Sequence, residues 1–450
     1  MSFLGFLFFA WLGQILYQTH GHYDPIVLWM TIAFLLLVFE MARRRPWMVI
    51  GERGTERLLS LCAVFFCALQ FRRTGMIYAE GGSSSAAMEP LMGIATLLSL
   101  VVFGISWIPK RSDVIFKVAL ALGVLGIAAL VMAEILVPTA SPKPWIDVWY
   151  VSTAAVDYFT TGLNPYAQKY LDIYHGKYGP VAYFPYLPGL LFWITPFRVV
   201  LGDIRYGLIF ANWISAGAFY FWARPGRGKS LIPLLAALLW LSFPVTLFVI
   251  EQSWVDLALI PGAILMFLAM RAGRNRLTAA AMGIFLSIKQ YAFVTVTFAL
   301  LWIWRKLGFK RALWTGLIAL GVFMALLAPF VIADAHEFYR MTVLTETDQG
   351  IRLDALNFTA FLVNGYGRVI SGNGRILLAL LGAMNGALIL LRGSGRDTSN
   401  SSGMAAASFA AYGFAFIFGK WAFCNYYFFL ASFLLIFLVS PTKTDGSSPA

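Results

Sequence analysis

The sequence predicts an all-α polytopic membrane protein, and three observations carry that prediction. Of its 450 residues, 60% are hydrophobic and only 12% are charged, whereas a soluble domain carries about a quarter charged residues. Apolar runs long enough to cross or half-cross a bilayer recur from end to end. The net charge of +13 sits in short basic knots between those runs, as cytoplasmic topology signals do. A nucleic-acid partner would need the basic residues gathered on one solvated face, so none is expected. Cys62, Cys67 and Cys424 fit no metal spacing and build no disulfide framework. The N-terminus lacks a basic region and a small-residue cleavage site, and is read as a retained helix.

Counting spans between basic knots orders the elements. Residues 3–18 and 25–41 pair and end at Arg43-Arg44-Arg45; residues 57–71 and 89–108 pair and end at Lys110-Arg111. Residues 114–137 then run outward, leaving 138 to about 203 outside. Arg72 and Arg73 fall on the outer side in this count, a mild departure from the charge rule. Residues 186–201 are apolar, yet their crossing would expose Arg224, Arg227 and Lys229, and with them Arg271, Arg274 and Arg276. Pro180, Pro185, Pro188 and Pro196 break up this stretch, so it is read as re-entrant in the outer leaflet.

Spans 204–222, 231–249 and 256–270 then alternate. A single span over 277–304 would turn the knot at Arg305, Lys306, Lys310 and Arg311 outward. Two half-helices, 277–288 and 291–304, each about 18–21 Å long, form a hairpin with Lys289-Gln290-Tyr291 at its apex. Residues 312–332 run outward and 333–374 form an external loop. Residues 375–391, 403–418 and 426–440 complete a bundle of about 12–14 membrane helices, with Arg392 and Arg396 as a weaker inner knot. Residues 1–110 thus make a four-span extension, 111–440 the main module and 441–450 a polar cytoplasmic tail.

Polar residues gather on the outer side. In a helix beginning near Ile146, Asp147 and Tyr150 share a face, while Asp157 points about 80° away. Gly162 to Pro165 stops that helix. Asp147 can serve as an acid or base near the membrane surface, or cap its helix. Lys289 at membrane depth is a functional candidate by default; it either binds an anion or balances an acid such as Glu251 or Asp256. Glu251, Gln252 and Asp256 form an acidic turn, either solvated or holding hydroxyls. His336 stands at a second external helix start, and Asn425 and Tyr426 lie before the last span. The tract His20-Gly-His22-Tyr-Asp24 is short for a metal site.

Asp147-x-x-Tyr150, the turn Gly162-Leu-Asn164-Pro-Tyr166 and the proline-rich return through Tyr178 and Tyr183 together resemble the GT-C membrane glycosyltransferases. More narrowly, residues 111 to 440 are similar to the polyprenyl-phosphate-sugar-dependent branch that includes bacterial lipoglycan mannosyltransferases. The resemblance implies inverting transfer of a hexose, mannose by analogy, from a polyprenyl-phosphate-linked sugar to a hydroxyl of a lipid or glycan acceptor. The reaction would lie on the outer face of a bacterial plasma membrane. The resemblance implies Asp147 as general base. Lys289, Arg352 and Lys420 are then expected at the donor phosphate. Tyr150, Asn164, Tyr166, Tyr178, Tyr183, Glu251, Gln252, Asp256, Gln290, His336, Asn425 and Tyr426 are expected around the substrates. Many relatives carry two acids close together where this chain has Asp-Val-Trp, with the next acid only at Asp157, which leaves metal dependence open; no metal or other cofactor is expected.

The rival class is a transporter or lipid flippase, which would place its polar groups at mid-bilayer between repeats. A polysaccharide polymerase or ligase would favour arginines in the first external loop, and 138 to 197 contains none.

Overall fold

The structure is a computed structural model that describes residues 3–43, 50–178, 182–224, 228–392 and 402–440. Arg44, Arg45, Pro180, Arg227, Arg396 and the tail 441–450 lie outside the described residues. Within them every regular element is helical. The first half comprises α1 (Phe3–Thr19), α2 (Pro25–Arg43), α3 (Glu52–Arg72), α4 (Ser83–Ser106), α5 (Asp113–Ala140), α6 (Asp147–Thr160), α7 (Pro188–Leu201), α8 (Arg205–Ala223), α9 (Ile232–Leu241) and α10 (Thr246–Glu251). The second comprises α11 (Asp256–Arg271), α12 (Asn275–Leu286), α13 (Phe293–Leu307), α14 (Phe309–Ala333), α15 (Ala335–Tyr339), α16 (Thr345–Asp348), α17 (Phe358–Tyr366), α18 (Gly372–Arg392), α19 (Ser402–Ile417) and α20 (Cys424–Leu438).

Five of these are long and apolar enough to cross a membrane: α3, α4, α5, α14 and residues 372–390 of α18. The larger expected number of membrane helices counts shorter apolar helices as well, such as α1, α19 and α20. Residues 231–249 do not form the single expected span. Pro244 lacks an amide proton and separates α9 from α10. The Phe243 carbonyl in the gap accepts Gln70 Nε2 at 2.8 Å, the kind of compensation a helix break needs away from water.

The basic turns meet at one end of the bundle. Arg111 pairs with Glu56 and Lys229 with Asp113. Arg271 donates to the Trp222 and Phe221 carbonyls, and Trp222 Nε1 reaches the Ile436 carbonyl near the end of α20.

The half-helices α12 and α13 rise from that end and return to it. Gly283 of α12 packs on Ala319 and Val322 of α14, while Leu300 of α13 packs on Gly316. Both half-helices therefore lie against the same portion of α14, and a continuous helix through 275–307 would not do this. Their apex stands roughly 10 Å short of the end of α14 at 1.5 Å per residue. Helix α7 starts at this apex, with Gly189 N donating to Ser287 O at 2.7 Å. Gly189 is required there because a Cβ would fall 2.1 Å from Ser287 Oγ. The chain then turns at Gly202 (φ 80) and enters α8, whose Arg205 donates to the Ser141 carbonyl beyond α5 at 2.7 Å. Both ends of α7 stay away from the basic turns, so it does not cross the bundle.

Residues 1–110 are not an appendage. Phe9 of α1, Phe66 of α3, Phe243 and Phe428 of α20 form one chain of ring contacts at 5.3 to 5.9 Å. The hydrophobic core runs through the first four helices and the remainder without a break.

Candidate functional site: a recessed cavity lined by acids, cations and aromatic rings

A cavity of about 1050 Å³ opens at the end of the bundle opposite the basic turns. The apex between α12 and α13 forms its floor, and the first turn of α6 and the proline-rich return form one wall.

On the floor, Asp256 is the first residue of α11 and almost fully buried. Its carboxylate accepts Lys289 Nζ at 3.1 and 3.2 Å, Asn425 Nδ2 at 2.6 Å and the Tyr291 hydroxyl. The rings of Tyr291 and Tyr426 each stand 5.0 Å from Lys289 Nζ. Lys289 is thus the counter-ion of Asp256, one of the two roles open to it from sequence, while its side chain still lines the cavity. Gln290 binds the cavity wall together, donating to the Pro185 carbonyl at 2.7 Å and the Thr342 carbonyl at 2.8 Å.

Ile146 occupies the N-cap of α6 and leaves Asp147 as its first helical residue, half-buried and facing the cavity. Burial raises the Asp147 carboxyl above its ordinary value, opposed by the nearby helix amides and by Arg352. The Tyr174 hydroxyl lies 3.4 Å from the Asp147 amide. Arg352 enters from the segment before α17, held by Asp354 through two contacts of 2.8 Å. Its guanidinium stacks 4.1 Å from the Tyr178 ring and 4.8 Å from Phe423.

Ten of the expected site residues line this one cavity: Asp147, Tyr178, Tyr183, Gln252, Asp256, Lys289, Gln290, Arg352, Asn425 and Tyr426. Six do not. Lys420 turns its ammonium to the Thr347 and Gln349 carbonyls at 2.7 and 3.0 Å, holding the segment beyond α16. Tyr150 packs against Trp145 and Trp149. Asn164 accepts the Tyr166 amide, and buried Tyr166 donates to the Tyr186 carbonyl at 2.8 Å. The Gly-Leu-Asn-Pro-Tyr turn therefore supports the proline-rich return from behind. Glu251 is buried and accepts the Ile77 and Tyr78 amides at 2.7 and 2.8 Å, so it clamps a loop instead of facing the cavity. His336 is exposed and pairs with Glu337 on the surface.

Sequence reasoning missed the contribution of residues 1–110. His20, His22 and Tyr78 all line the cavity. The turn after α1 is locked in place: Tyr23 N donates to Asp354 O at 2.9 Å and Leu356 N to Gly21 O at 3.0 Å. Gly21 has φ 77, and a Cβ there would lie 2.2 Å from the Cys424 amide, so only glycine fits. The histidine pair was visible as a tract, but nothing local tied it to residues more than 300 positions away.

Among the described residues no three His, Cys, Asp or Glu side chains converge as a metal site. The chain matches no family model, no curated protein and no solved structure.

Proposed function

We propose that this chain is a membrane glycosyltransferase of the GT-C type that moves a hexose from a polyprenyl phosphate to an acceptor hydroxyl. The observation that carries this reading is the half-buried Asp147 carboxyl sharing one recessed cavity with Arg352 and a wall of tyrosines. The five long apolar helices support a multi-pass membrane setting. The resemblance of the first external loop favours the outer face of a bacterial plasma membrane.

In this scheme Asp147, ionised, accepts the proton of the acceptor hydroxyl as that oxygen bonds to the anomeric carbon. The bond from that carbon to the phosphate oxygen breaks on the opposite face, inverting the centre. The electron pair leaves with the polyprenyl phosphate, whose added charge Arg352 stabilises. Lys289 contributes less to this charge because Asp256 already balances it. The reaction needs no oxidant, and the proton leaves from Asp147 to solvent.

Purified protein supplied with a synthetic polyprenyl-phosphate mannose and a mixed panel of glycolipid acceptors tests the reading. Formation of a new glycosidic bond with inverted configuration, lost in Asp147→Asn, is the expected result. A second reading, a transporter or flippase, draws on the buried Lys289–Asp256 pair at a helix break. Substrate movement across proteoliposomes with no bond formation would select it.

A further inference from the structure

Three of the four histidines in the chain line the cavity, and His20 is the one stacked face to face on another aromatic ring. Like His175, it sits in the left-handed region, at φ 51, a conformation uncommon for a non-glycine residue. Its ring stacks on Phe248 of α10 at 4.1 Å and 29°. Its Nε2 is enclosed beside the Gly75 backbone, without a hydrogen bond of normal geometry. Burial, helped by His22 and Arg73, pushes the imidazole down to about 4, so at neutral pH it is an uncharged group with one donor and one acceptor nitrogen.

The surroundings define what the cavity side of this ring would meet. Tyr78 and Gln252 line the same corner, and Trp254 stands edge-on to Phe248 at 5.2 Å. Behind them lies the Glu251 carboxylate, to which Gln252 Nε2 donates at 3.2 Å. An anion placed in this corner would face that carboxylate, whereas a neutral polyol would not. Uncharged donors and acceptors beside aromatic faces suit the hydroxyls and C–H faces of a pyranose ring.

We infer that the corner formed by His20, Tyr78, Gln252 and Trp254 is a subsite for a hexose ring, separate from the position of the phosphate near Arg352. This deepens the glycosyltransferase reading and rests on it for the source of the sugar. It also makes the first four helices part of substrate recognition. The ring belongs either to the lipid-phosphate donor or to a sugar acceptor, and the same corner chemistry serves both.

The test uses full-length protein in detergent and three probes: citronellyl phosphate, citronellyl-phosphate mannose and methyl α-mannoside. His20→Phe, which keeps the stacked ring and removes its polar atoms, is compared with His20→Gln, which restores a donor and an acceptor. If the ring comes from the donor, His20→Phe weakens citronellyl-phosphate mannose by about tenfold and leaves sugar-free citronellyl phosphate within about twofold. If it comes from the acceptor, only methyl α-mannoside loses its saturation-transfer NMR signal. His20→Gln recovers most of either loss. Equal weakening of both lipid phosphates, or no change with any probe, overturns the subsite. Should wild-type protein bind neither lipid phosphate, the donor reading fails; the subsite then stands or falls on whether methyl α-mannoside binds and depends on His20.

Discussion

Lys289 Nζ lies 3.1 Å from Asp256 Oδ1 at the floor of the cavity, with side-chain exposures of 13% and 1%. Asp256 is sealed from water and Lys289 meets only the cavity, so each residue sets the cost of removing the other. Asp256→Asn would strand the lysine among tyrosine rings, and Lys289→Met would strand a carboxylate still bound by Tyr291 and Asn425. Losing one partner of a buried pair costs about 3–5 kcal/mol. The double variant Asp256→Asn/Lys289→Met is expected to be more stable than either single variant. Thermal unfolding of all four proteins in one detergent checks this; additive losses would mean the pair is not coupled.

Asp147→Asn separates activity from stability. Transfer is expected to fall by about 100-fold or more, as for removal of a general base. Because burial raises the folded-state carboxyl, the folded protein holds its proton to higher pH than the unfolded chain does. Between the ordinary and the raised value the native state binds more protons, so stability falls as pH rises through that window. At neutral pH, Asp147→Asn removes this penalty and is expected to leave the melting temperature equal or higher. The acid limb of the transfer rate should lie above the ordinary aspartate value and vanish in the variant. A variant that is both inactive and markedly less stable at pH 7 would make Asp147 structural.

The features legible in the sequence are those that proline, charge and local periodicity control. The start of α6 at Asp147 followed from local punctuation, and the apex at Lys289 and the non-crossing α7 from the alternation of basic knots with apolar runs. The partners of Asp256 did not, because Asn425 is 169 positions away. Glu251 and Asp256 look alike as two acids in one turn. Helix α10 ends at Glu251 and directs it to the Ile77 and Tyr78 amides, whereas α11 begins at Asp256 and delivers it to the apex. That choice depends on where α3 and α12 pack, which no local pattern encodes. Lys420 is drawn away from the cavity for the same reason: carbonyls from 71 and 73 residues away claim its ammonium.

Arg352 and Lys420 should therefore respond differently to the same substitution. Arg352→Gln removes the guanidinium between Tyr178 and Phe423, and is expected to weaken citronellyl phosphate by about tenfold, the scale of one charge-assisted hydrogen bond. Lys420→Gln is expected to leave that affinity within about twofold. Its effect appears in stability, with a loss of about 1 kcal/mol, since water can reach the Thr347 carbonyl. Parallel titrations and melting curves separate the two roles. A tenfold binding loss in Lys420→Gln without destabilisation would return it to the phosphate site.

His20 gives the fold a pH dependence of opposite sign to that of Asp147. The folded-state imidazole is lowered from 6.5 to about 4, so between these values the unfolded chain binds a proton that the native state refuses. Stability is then fully present above pH 6.5 and is lost as pH falls toward 4. Burial against Phe248 on α10, His22 on the same turn and Arg73 after α3 disfavour the cation, while the Gly75 backbone favours it by a smaller amount. The loss on acidification is on the order of 2 kcal/mol after allowing for partial solvent access. His20→Gln has no such proton to take up, and its melting temperature should vary less between pH 7 and pH 4.5 than that of the wild type. Differential scanning fluorimetry across that range, with Asp147→Asn as the background, isolates the histidine. Identical pH slopes with and without His20 would mean that the imidazole titrates normally, and the neutral ring assumed for sugar recognition would be lost with it.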